Sequence, residues 1–183
     1  MEQHLSKGRV LYQVGQTGDV WQIQRGLMWL SADQGQALTW LALPGDILGV
    51  ETLCGDTYAC TAVALKGATL VRQSVDTQFG QFNLVAQGYL QQQQRLRDMA
   101  RLRTGSVGSR VAHLLRMLAL EFDGGERVLM RHELPTLREM AQLIDAKPET
   151  VCRELTRWFP AREDHRHKAA MELIQDAALG VAI

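Results

Sequence analysis

Residues 134 to 158, LPTLREMAQLIDAKPETVCRELTRW, constrain the fold more than any other stretch. Thr136 followed by Glu139 is a capping-box pattern and predicts a helix start. Leu137, Met140, Ala141 and Ile144 then fall at i, i+3, i+4 and i+7, which makes one apolar face. Asp145, Ala146 and Lys147 break that pattern. Pro148 suits the first turn of a second helix, where its missing N–H costs nothing. Val151, Leu155 and Trp158 form the apolar side of that helix, and Glu149, Cys152, Arg153 and Thr156 point roughly the other way. A helix-turn-helix needs this division, one face packing inward and the other entering a DNA major groove. Arg can donate twice to a guanine edge, and Glu can accept from a cytosine amino group. An ordinary helical hairpin with a solvated charged face has the same spacing.

Residues 8 to 73 read as β. Glycines punctuate short apolar runs, and Val10-x-Tyr12, Trp21-x-Ile23, Leu38-x-Trp40-x-Ala42 and Ala62-x-Ala64 alternate as half-buried strands do. SADQGQ after Leu30 reads as a hairpin turn, and LPGD at 43 to 46 as another. Strands this short and regular predict a small barrel or roll.

From Val75 the pattern turns helical. Asp76 is placed to cap a short helix with Phe79 and Phe82, followed by a long helix whose stripe is Val85, Tyr89, Leu96, Met99 and Leu102. Such a stripe suits one surface helix on a core, or a helix paired with its twin, with Arg95, Arg97, Arg101 and Arg103 flanking the seam. TGSVGS at 104 to 109 reads as a hinge. Arg110 to Phe122 resumes as an amphipathic helix on Val111, Leu114, Leu115, Leu118 and Phe122, and DGGE ends it. RVLMRHEL reads as a short strand or two. After Pro160 the tail reads as a further helix rather than a β-hairpin wing. His165 and His167, at i and i+2, do not face one metal site.

The chain has 183 residues, room for one large or two small domains, and a formal net charge of zero. Neutrality argues against a basic nucleic-acid coat protein but not against a local basic face; Lys147, Arg153, Arg157, Arg162, Arg166 and Lys168 gather near the carboxyl end, with acidic residues between them. No apolar run approaches the roughly 20 residues of a membrane span, and the start shows no apolar signal segment, so the expected location is cytoplasmic. Three cysteines, Cys54, Cys60 and Cys152, fit no disulfide framework and no four-cysteine iron–sulfur site. No nucleophile–base, paired-carboxylate or metal constellation stands out, so an enzyme is not expected.

Taken in order, these motifs resemble the CRP/FNR superfamily of bacterial transcription regulators over about residues 7 to 158. GDVWQIQRGLMWL, LPGDILG and TAVALKGATLV look like its β-roll, and MAQLIDAKPETVCRELTRW like its helix-turn-helix, with the core Glu149-Thr150-Val151-x-Arg153. The resemblance implies an α+β fold: an N-terminal antiparallel, cupin-like β-roll over 1–75, a long dimerisation helix over 76–104, and a winged-helix-type domain with an atypical tail over 105–183. It implies a homodimer on pseudo-palindromic double-stranded DNA, acting with RNA polymerase. Glu149 and Arg153 would read bases, with Cys152 and Thr156 beside them, while Lys147, Arg157 and Thr136 would meet phosphates. Asp145 replaces the usual turn glycine, and Pro148 stands where many members carry Arg. The FNR-like branch, which lacks that Arg, is therefore the nearer guide.

The resemblance also places an effector pocket at Gly49, Val50, Glu51 and Tyr58. Cyclic-nucleotide binders carry Glu directly after the glycine and an Arg that holds the phosphate; here these are Val50 and Tyr58. A cyclic phosphate would lose its charged bidentate partner, so no cyclic-nucleotide cofactor is expected. Gly49-Val50 and the AVAL run look closest to the nitrogen-control branch, but the cations that branch uses for 2-oxoglutarate have no match here. A β-roll adaptor that does not read DNA is the alternative.

Overall fold

The computed structural model describes residues 1–32, 39–119 and 129–159. It divides into two compact units, Met1–Met99 and a second that begins at Ala100.

Among its described residues the first unit has eight strands: β1 (Glu2–Leu5), β2 (Val10–Tyr12), β3 (Val20–Arg25), β4 (Met28–Ser31), β5 (Thr39–Ala42), β6 (Ile47–Leu48), β7 (Thr61–Ala64) and β8 (Ala68–Gln73). They form two antiparallel four-stranded sheets, ordered β1-β8-β3-β6 and β2-β7-β4-β5. One core joins both. Trp21, Ile23, Leu48 and Leu70 from the first sheet meet Tyr12, Met28, Leu30, Ala62 and Ala64 from the second. The expected strands at Val10, Trp21 and Ala62 are present, and LPGD is the turn between β5 and β6, closed by Asp46 N–H to the Leu43 carbonyl at 3.0 Å. Leu38 and the tip of SADQGQ lie outside the described residues, but β4 and β5 pair antiparallel on either side of it. Strand β1 was not expected. EQHL has one apolar residue and gains its strand character from pairing with β8 at the sheet edge.

Helix α1 runs unbroken from Gln78 to Arg103, which corrects the reading of a short helix followed by a long one. Asp76 is not its cap. Thr77 is: its Oγ1 accepts from Gly80 N–H at 3.1 Å, and its carbonyl accepts from Gln81 N–H. The expected apolar stripe is two faces. Leu102 is buried and Val85 and Met99 half-buried, whereas Tyr89 and Leu96 point to solvent. Arg95 does not flank a seam either. It turns inward onto Asp46, with its Nε and Nη2 at 2.8 and 2.7 Å from the two carboxylate oxygens, and its Nη1 reaches Asp98 at 3.1 Å. Burial opposes the guanidinium charge, but the two carboxylates outweigh it and raise its pKa above the ordinary value.

The second unit contains α2 (Val107–Ala119), α3 (Leu137–Leu143) and α4 (Pro148–Trp158). Of the segment expected as a hinge, Val107, Gly108 and Ser109 belong to α2; Ser106 supplies the turn before them, its Oγ accepting from Ser109 N–H. Val111, Leu114, Leu115 and Leu118 are buried as their spacing predicts. In the described part of RVLMRHEL there is no strand. Arg131–Glu133 is a 3-10 turn, closed by Glu133 Oε2 accepting from Met130 N–H at 2.8 Å, a local bond that competes with extended pairing. The expected features at Phe122, DGGE, Arg162, His165, Arg166, His167, Lys168 and the tail helix lie outside the described residues.

Candidate nucleic-acid interface

The capping box forms as its residues dictate. Thr136 Oγ1 accepts from Glu139 N–H at 3.3 Å, and Glu139 Oε2 accepts from Thr136 N–H at 2.7 Å. Helix α3 then ends in a Schellman-type turn: Asp145 takes a left-handed backbone at φ 50°, and Ala146 N–H donates to the Ala141 carbonyl at 2.9 Å. Asp145 is the only non-glycine residue with positive φ among the described residues. The turn thus keeps the conformation a glycine would give, at the cost of some backbone strain.

Two arginines that the sequence did not assign to this turn hold it. Arg110 Nη1, from α2, donates to the carbonyls of Ile144 at 2.7 Å and Asp145 at 3.0 Å. Arg103 Nε donates to the Leu143 carbonyl at 3.2 Å, which removes Arg103 from the expected seam. Both cations face the carbonyl end of α3, where acceptors lack helical partners and the helix dipole favours positive charge. Nothing in spacing alone could have found them, since each bond spans more than 30 residues.

Helix α4 opens on Lys147, whose carbonyl accepts from Thr150 and Val151 N–H groups, with Pro148 in its first turn. Val151 and Leu155 are almost fully buried, each worth roughly 1.5–3 kcal/mol of burial, and they fix which way the helix faces. Glu149, Arg153, Thr156 and Arg157 are consequently exposed, as is Lys147; Cys152 and Trp158 are half-buried. Thr136 is exposed at the start of α3. The Thr156 hydroxyl donates to the Cys152 carbonyl at 2.9 Å. Arg157 already has a partner: its Nη1 sits 2.8 Å from Glu154 Oε2. Glu154, only 8% exposed, lies against the first turn of α2, where a side chain at Gly108 would crowd its carboxylate. A buried carboxylate at a helix N-terminus is favoured by the dipole, and it ties α4 to α2.

The expected effector residues lie in the first unit. Gly49, with φ 77°, leads into a 3-10 turn over Val50–Cys54. Glu51 is half-buried, and its Oε1 accepts from Ala59 N–H at 2.9 Å. Tyr58 points inward, 3% exposed, with its ring stacked on Tyr12 at 3.8 Å and its hydroxyl donating to the Asp19 carbonyl at 2.7 Å. Cys60 lies beside Tyr12, and burial pushes its thiol up to about 11. Cys54 is exposed. Among the described residues no helix is long and apolar enough to cross a membrane, and no cluster of metal-ligating side chains occurs.

No family model and no curated protein matches this sequence. Solved structures do. A CRP/FNR-family transcriptional regulator of Thermus thermophilus, TTHA1359, superposes with a TM-score of 0.67 over 96% of this chain and 98% of its own, at 24% identity. TTHB099, a CRP-family regulator of the same organism, gives 0.67 over 94% and 96%, at 21% identity. FixK2 from Bradyrhizobium japonicum gives 0.69 over 94% and 96%, at 18% identity. The β-roll, the long helix and the helix-turn-helix that the sequence motifs pointed to are therefore those of one architecture, and this chain has the fold of the CRP/FNR superfamily of transcription regulators.

Proposed function

We propose that this chain is a sequence-specific DNA-binding transcription regulator of the CRP/FNR type that acts as a homodimer. The observation that carries the reading is the orientation of α4: burial of Val151 and Leu155 leaves Glu149, Arg153 and Thr156 together on the solvent side. A helix presented this way fits the major groove, where Arg153 pairs with a guanine edge and Glu149 accepts from a cytosine amino group. Lys147 and the α3 start at Thr136 flank that face and meet phosphates, which position without specifying. Arg157 meets one with the nitrogens that Glu154 leaves unused. A bound dimer would then act on RNA polymerase.

The dimer reading rests on α1. Phe82, Tyr89 and Leu96 recur every seven residues and are 67%, 61% and 58% exposed, with Phe79 and Leu90 beside them at 75% and 67%. A seven-residue repeat of large apolar side chains on one helix face is the seam of a coiled coil, and a second copy of α1 covers it. Two-fold pairing suits a palindromic site whose halves lie one DNA turn apart, about 34–36 Å.

Random-site selection with the purified protein, followed by a salt-titrated gel shift on the selected sequence, tests the function. The expected result is a palindromic consensus whose affinity falls steeply as salt rises and counterion release becomes less favourable. Binding indifferent to sequence, or absent, would instead make the chain a β-roll adaptor.

A further inference from the structure

The strip from Asp46 to Leu53 is held along one face of α1 by four successive contacts. Asp46 pairs with Arg95. The Gln91 amide bonds both backbone groups of Ile47, accepting from its N–H at 2.7 Å and donating to its carbonyl at 3.0 Å. The Val50 side chain sits over Gly88, where an added Cβ would lie only 2.8 Å from a Val50 methyl. The Gln81 amide donates to the Leu53 carbonyl. Strip and helix thus run antiparallel, in register.

Behind the strip is Tyr58. Its ring lies so close to Gly18 and Gly49 that a Cβ on either would fall 2.5 Å from a Tyr58 side-chain atom. Tyr12 covers one face of the ring, and the Asp19 carbonyl takes its hydroxyl. The neighbouring backbone is fixed as well: Tyr58 N–H donates to the Gln16 carbonyl, Gly15 N–H donates to the Tyr58 carbonyl, and Glu51 holds Ala59 N–H. Two glycines, a stacked ring and a carbonyl make a cradle shaped to a phenol, and the protein fills it with its own.

We propose that Tyr58 is a built-in occupant of this cradle, wedging the Asp46–Leu53 strip against α1 so that the β-roll holds the helix in place without a small-molecule effector. Tyr58 is a positioning residue here, acting on α1 through Gly49 and Val50. The device concerns α1 and stands or falls independently of what α4 binds.

Amide hydrogen exchange of the full chain reads it directly. In Tyr58→Ala, exchange across Leu84–Gln94 rises roughly tenfold or more relative to wild type, as expected of a local opening. 4-Methylphenol, which restores the missing ring, reverses this saturably in the variant and leaves wild type unchanged. Leu70→Ala, a truncation elsewhere in the same core, is the control and does not loosen that segment selectively. Should Tyr58→Ala not fold, Tyr58→Leu fills part of the volume without reaching the Asp19 carbonyl and shows the same localised rise. Unchanged exchange over Leu84–Gln94 in a folded Tyr58 variant overturns the proposal. So does saturable protection of that segment in wild type by cyclic AMP, cyclic GMP or 2-oxoglutarate.

Discussion

Arg153 and Arg95 show how one residue type does opposite work in two settings. Arg153 is exposed on α4, and under the proposed function its guanidinium donates to a base edge. Arg153→Ala is expected to relax sequence preference at one base pair per half-site and to cost about 1–3 kcal/mol of specific binding. Gel shifts on a panel of single-base variants check this; identical preferences in wild type and variant contradict it. Arg95 is turned inward and already committed to Asp46 and Asp98, both 5% exposed. Arg95→Met removes the cation that these two buried carboxylates share, so the expected loss is about 3–5 kcal/mol, the range for breaking a buried pair from one side. Urea unfolding measures it. A loss within the range of an exposed ion pair, below about 1 kcal/mol, would mean that solvent reaches the carboxylates.

At the scale of elements, α1 has two faces with different chemistry. One binds the β-roll through Gln81, Gly88, Gln91 and Arg95, and the other shows Phe82, Tyr89 and Leu96 to solvent. The first face uses amides, a glycine notch and a charge; the second uses large apolar side chains at heptad spacing. If α1 pairs with its twin as proposed, replacing both Tyr89 and Leu96 with Glu turns that dimer into a monomer while leaving the circular dichroism spectrum intact. The added charges repel across the seam, yet both side chains stay solvated in a monomer. Sedimentation equilibrium reads the outcome, and a variant that remains dimeric would place the interface elsewhere. Helices α3 and α4 make a second case. Their turn survives an Asp where glycine is easiest, because the Arg110 and Arg103 bonds to the carbonyls at the end of α3 hold it from outside.

For the molecule as a whole, a buried thiol and two buried phenols make stability depend on alkaline pH. Burial holds the Cys60 thiol protonated up to about 11, against an ordinary value of 9.0, and burial also raises Tyr12 and Tyr58. In the unfolded chain the thiol loses its proton near its ordinary value, so between about 9 and 11 the folded state binds more protons. The stability is therefore full below about pH 9 and declines as pH rises through that window. At about 1.36 kcal/mol per unit this amounts to roughly 3 kcal/mol from Cys60, with the tyrosines adding to the same slope above about pH 10. Urea midpoints from about pH 8 to 10.5 should fall accordingly, and Cys60→Ala should flatten the earlier part of the decline. A midpoint that does not move would show the thiol to be solvated.

The sequence by itself determined the elements whose signals are local. Capping chemistry placed α3, periodicity oriented α4 and α2, and alternation found β2, β3 and β7, because each depends on residues within a few turns or pleats of one another. It also placed Glu149, Arg153 and Thr156 on one face, since a buried Val151 and Leu155 leave them no other. Only the tertiary structure decided the partners of charge and aromatic groups. Arg95 looked like a seam residue until Asp46, 49 positions away, claimed it. Tyr58 looked like a failed ligand contact until Gly18, Gly49 and Tyr12 closed around it. The physical reason is that periodicity reports how much of a face is buried, whereas the partner of a buried polar group is set by chain crossings that sequence spacing does not encode.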